Sequence, residues 1–130
     1  MGKYLERSKE VRACTDPHYN CAQGVFVPFA EVCGVDEKKA FDIAAHFGAG
    51  MKCGSVCGAI TGGLMVLGAI GAGQDQYKAF MDGMRANHEG CIDCFDLLKM
   101  MKEKGEDKAT HCNNMVFEAV ALLEDILNMK

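Results

Sequence analysis

Positive charge is scarce in this chain of 130 residues: 14 Lys and Arg stand against 18 Asp and Glu, a net charge of −4. Nucleic acid calls for a basic face, which this balance excludes. The few basic residues are scattered among acids at both ends, which argues equally against docking on an anionic membrane surface. The opening stretch MGKYLERSKEVRAC is charged and amphipathic and lacks the apolar segment of a secretory signal, so the expected compartment is the cytoplasm. No densely apolar run reaches the ~20 residues that a membrane-spanning helix needs. Alternating strand patterns are missing, as are a phosphate-cradling glycine loop, a Ser/His/Asp set and a carboxylate pair. Gly48-Ala49-Gly50 follows a helical pattern instead of a strand and is no dinucleotide fingerprint.

Cysteine is what the chain has in excess, with eight residues. In a reducing compartment disulfides do not persist as structure, so cysteine in this number points to metal or redox chemistry more than to packing. The composition, 49% hydrophobic and 25% charged, is that of a globular chain long enough for one core. No shift in composition divides it, and a single domain over residues 1–130 is expected.

Periodicity gives an all-α fold, a helical bundle of six to seven helices around a buried glycine-rich one. The spacing predicts helices over Leu5–Ala13, Cys21–Val32, Glu37–Phe47, Met51–Gly73, Gln74–Asn87, Cys91–Lys102 and His111–Asn128. Asn20 and Asp36 are the N-caps of the second and third. The second carries a stripe of Cys21, Val25, Phe29 and Val32, is kinked at Pro28 and is closed by Gly34. Between Lys52 and Asp75 there is no charge, proline or aromatic, and the Met51–Gly73 stretch holds seven glycines. A helix apolar on every side is buried on every side, which makes this one central. Gly54, Gly58 and Gly62 recur every fourth residue, a ridge for close backbone approach within the monomer or across a homodimer.

Cys21, Cys57, Cys94 and Cys112 each fall in the first turn of a predicted helix. Unpaired N–H groups and the helix dipole there favour the thiolate, the form that binds metal and attacks disulfides. Four such helix starts turned to one point make a thiolate-rich pocket. Cys14 and Cys33, at helix C-termini, read as packing residues. Cys53 lies four before Cys57 and Cys91 three before Cys94, so each pair is expected on one helical face. The Cys91-Ile-Asp-Cys94 motif lacks the βαβ setting of a thioredoxin, and Phe95 in place of histidine excludes covalent haem. His111 beside Cys112 is a candidate ligand or proton carrier. Four thiolates suit an iron–sulfur cluster or tetrahedral zinc. Metal-free thiol–disulfide chemistry through Cys53/Cys57 or Cys91/Cys94 is the alternative from another class.

The runs Tyr19-Asn20-Cys21-Ala22-Gln23, Phe47-Gly48-Ala49-Gly50-Met51, Cys57-Gly58-Ala59-Ile60-Thr61-Gly62 and Leu64-Met65-Val66-Leu67-Gly68 resemble the C_GCAxxG_C_C family of redox-active proteins. The resemblance covers nearly the whole chain. It implies a small helical protein, often encoded near transporter genes and related to split-Soret cytochromes. The family's four cysteines fall on Cys21, Cys57, Cys94 and Cys112; Cys14, Cys33, Cys53 and Cys91 lie outside its pattern. The expectation is a redox centre held by those four, foremost an iron–sulfur cluster, with Cys53 and Cys91 as additional ligands. It would serve electron transfer to a redox partner protein or chemistry at the cluster. The alternatives are a metal-free thiol–disulfide protein, a zinc- or copper-binding protein associated with a transporter, and lastly non-covalent haem.

Overall fold

Gly58 and Gly62 sit at the centre of the molecule, on a helix shorter than its composition suggests. The computed structural model describes residues 2–128, so Met1 and residues 129–130 of the expected domain lie outside the described residues. Among these residues seven α-helices follow one another: α1 (Lys3–Ala13), α2 (Cys21–Phe26), α3 (Glu37–Ile43), α4 (Gly58–Ala69), α5 (Gln74–Ala86), α6 (Cys94–Glu103) and α7 (Lys108–Ile126). Among the described residues, extended pairing is confined to single bridges, Thr15 with His18 and Val56 with Asp93. The fold is all-α, and among the described residues no helix is long and apolar enough to cross a membrane.

The central helix begins at Gly58, seven residues later than expected. Ala49, Gly50, Met51 and Lys52 are consecutively left-handed, with φ of 52°, 63°, 59° and 62°. A left-handed turn cannot continue into a right-handed helix. The segment behind it spends its hydrogen bonds elsewhere: Cys94 N–H donates to Ser55 O (2.6 Å) and Cys57 N–H to Ile92 O (2.8 Å). The same pairing removes residues 91–93 from α6, which starts at Cys94 with Asp93 at its N-cap. Cys53 and Cys57 therefore do not share a helical face, and neither do Cys91 and Cys94.

Small residues let α2 lie on α4. A Cβ on Gly58 would stand 3.1 Å from Cys21 Cβ and from Ala22 N, and one on Gly62 would stand 2.7 Å from Ala22 O. One on Gly63 would overlap the Phe80 ring of α5. The ridge expected from Gly54, Gly58 and Gly62 is thus filled inside the monomer from Gly58 onward, and Gly54 lies in the loop before the helix. Helix α7 closes the other side with Val116, Ala119, Val120 and Leu123, all fully buried.

Other boundaries shift for local reasons. Pro28 tightens the chain into a 3₁₀ turn, Val27–Phe29, so α2 ends at Phe26 and the buried stripe stops at Phe29 while Val32 is exposed. Gly34 is left-handed (φ 80°) and lets Val35 N–H reach back to Ala30 O, closing the turn as its C-cap role requires. Helix α3 ends at Ile43, four residues short of Phe47. Asp107 accepts from Thr110 N–H, which starts α7 three residues before the expected His111.

Candidate thiol site

Each of the four family cysteines is placed by a different helix. Cys21 opens α2 behind Asn20, whose side chain accepts from Gln23 N–H (2.8 Å) while Gln23 accepts from Asn20 N–H (2.7 Å). This reciprocal cap fixes the direction of the first turn. Asn20 Nδ2 also donates to Ala44 O and Ala45 O, anchoring the end of α3 beside it. Cys57 is the N-cap of α4 and Cys94 the first residue of α6; the Ser55–Cys57 and Ile92–Cys94 backbones, paired as above, set these two side by side. Cys112 lies in the second turn of α7, not the first, because α7 starts early.

All four line one cavity of about 700 Å³. Cys53, exposed on the left-handed turn, is on the same wall and donates to Gly50 O (3.4 Å). Cys91 does not line it, nor do Cys14 and Cys33. All eight cysteines are free thiols. Among the described residues no group of three or more His, Cys, Asp or Glu closes on a point as one metal ion would need.

Burial dominates the electrostatics. Cys57 accepts from Ala59 and Ile60 N–H, as a helix start provides, yet burial outweighs them and pushes its thiol up to about 11. Cys94 is likewise raised by burial and by the neighbouring Cys112. Cys21 and Cys112 face one another closely enough for each to shift the other's ionisation. The hydrogen bond from Cys21 brings Cys112 down to about 6, with Arg12 and Lys108 assisting against burial. The same bond, added to burial, raises Cys21. Four helix starts would lower all four thiols; only the one beyond the first turn is lowered, through neighbours.

Arg12 and Lys108 are the residues that sequence reasoning missed. Arg12 is held by Asn113 Oδ1 (2.8 Å) and Tyr19 O (2.7 Å), which brings the guanidinium of α1 to the cavity wall. Nothing in the periodicity of α1 separates it from a surface arginine. His18 and His111 also line the cavity, and burial lowers the His111 pKa. His46 instead meets Lys52 Nζ (3.0 Å), and His88 meets Glu118 (2.7 Å) on the wall of a second cavity of about 210 Å³.

Residues 19–126 match the family model described as Putative redox-active protein (C_GCAxxG_C_C). Neither a curated protein nor a solved structure matches the chain.

Proposed function

The chain belongs to the C_GCAxxG_C_C family, and from that premise we propose that it is a redox protein whose centre is an iron–sulfur cluster held by Cys21, Cys57, Cys94 and Cys112. The observation that carries the reading is the gathering of four thiols from four helices around one cavity. Thiolates are the ligands such clusters take. The surroundings fit as well: Ala59 and Ile60 N–H are directed at Cys57 Sγ, and Arg12 and Lys108 offset negative charge at Cys112. Hydrogen bonds to sulfur, nearby charge and burial are the terms by which a protein sets a cluster's potential. Bound there, a cluster would supply one-electron transfer.

Expression and purification without oxygen test this directly. Brown protein with iron and acid-labile sulfide in comparable amounts is expected, and serine at any of the four positions is expected to lower both. Colourless, iron-free protein from iron-replete anoxic cells would reject the cluster.

A second reading rests on the Cys21–Cys112 contact. A lowered thiol beside a raised one is the arrangement that thiol–disulfide exchange uses. The Cys112 thiolate would attack a substrate disulfide and release one of its sulfurs as thiolate. Cys21 would then resolve the mixed disulfide, so that the substrate gains two electrons and Cys21–Cys112 becomes a disulfide. Peptide mapping of oxidised, metal-free protein distinguishes it: a Cys21–Cys112 cross-link supports exchange, and random pairing opposes it.

A further inference from the structure

The charge on the wall of the large cavity is out of keeping with the rest of the chain. Eighteen carboxylates outnumber fourteen cations in the sequence, yet among the described residues no Asp or Glu lines this cavity, whereas Arg12, Lys52 and Lys108 do. Arg12 and Lys108 act on the thiols. Lys52 does not. It is carried on the left-handed turn at the exposed edge, and its ammonium is positioned by His46 Nδ1 at 3.0 Å. Beside it the walls are apolar: Phe95 is 69% exposed, and Leu98 is half-buried. A cleft of one sign with low-dielectric walls concentrates counter-ions. Its volume of about 700 Å³ lies within the ~300–1,000 Å³ typical of small-molecule sites, leaving room beyond the sulfurs.

We propose that the outer part of this cavity binds a small organic anion, with its carboxylate against Lys52 and Lys108 and its apolar body on Phe95 and Leu98. The inference rests on charge and shape, and it holds whether or not the four thiols carry a cluster.

Cys53 provides a reporter, being exposed on the cavity wall and outside the family's four. Its alkylation in the full-length reduced chain is followed by peptide mass spectrometry with anionic iodoacetate and neutral iodoacetamide. The rate ratio is compared with that of the same cysteine in the unfolded chain. A native ratio raised about threefold or more at low ionic strength, falling as salt is added, is expected. Lys52→Glu should abolish the rise. Lys78→Glu, which makes the same charge change on α5 where Lys78 pairs with Asp82, should retain it. In a second arm, benzoate should slow the iodoacetamide reaction saturably at matched ionic strength, and benzyl alcohol should not. A native ratio no higher than the unfolded one overturns the inference, as does equal loss in both variants or the same response to benzoate and benzyl alcohol. Iron content plays no part in these readouts, so their failure is separable from failure of the cluster proposal.

Discussion

At the scale of single residues, the ionisation of Cys112 is where the fold acts most visibly on chemistry. In the reduced, metal-free chain the first thiolate should form with a midpoint near pH 6, read as iodoacetamide reactivity of Cys112 against pH. Cys21→Ala should raise that midpoint most, since the Cys21 hydrogen bond is the largest cause, and Arg12→Met should raise it less. A Cys112 that stays unreactive up to its ordinary pKa of 9.0 would refute the assignment. Linkage gives the sign for stability. The folded pKa of Cys112 is depressed, so its contribution is full above pH 9.0 and is lost as pH falls through about 6. The folded pKa of Cys57 is raised, so its contribution is full below pH 9.0 and is lost as pH rises through about 11. The urea midpoint should therefore climb from pH 6 toward 9 and decline beyond it.

Among the elements, α4 depends on which of its glycines have a neighbour. Gly62→Ala would drive a methyl against the Ala22 carbonyl and should destabilise by ~1–3 kcal/mol in denaturant unfolding. Gly68 has nothing within 4 Å of an added Cβ, and Gly68→Ala should stabilise by ~0.5–1 kcal/mol. Both glycines read alike in the sequence; only the position of α2 tells them apart. The order of helices, the burial of Gly58, Gly62 and Gly63 and the Asn20 and Asp36 caps were legible because periodicity and capping are local; burial on every side was not met, since Gly68 and Ala69 at the far end of α4 are exposed. The start of α4 was not, since four left-handed residues, three of them not glycine, leave no compositional mark. The shared cavity was foreseen through the four cysteines, whereas its cations were hidden. The position of Arg12 depends on Asn113, 101 residues away.

At the level of the whole molecule, the first and last helices are joined by a buried carboxylate. Helix α1 has Gly2 at its N-cap and no side-chain cap of its own. Glu124, 3% exposed on α7, accepts from Tyr4 N–H and Leu5 N–H, both at 3.1 Å. Ser8 Oγ then donates to Gly24 O (2.8 Å), tying α1 to α2. Replacing Glu124 with alanine leaves two helix-start donors without an acceptor and should cost ~1–3 kcal/mol in chemical denaturation. Because α7 also carries Cys112, and α1 carries Arg12, loosening this clasp should raise the Cys112 midpoint as well. An unchanged midpoint in a destabilised Glu124→Ala protein would show that the two ends of α7 are uncoupled.

The left-handed turn at residues 49–52 bears on how the native chain is cut. Ala49, Met51 and Lys52 each hold a conformation that costs non-glycine residues ~1–2 kcal/mol, so this stretch opens at less expense than the helices around it. Lys52 is also exposed. Brief trypsin treatment of folded protein should nick first after Lys52, leaving two fragments that migrate together until denatured.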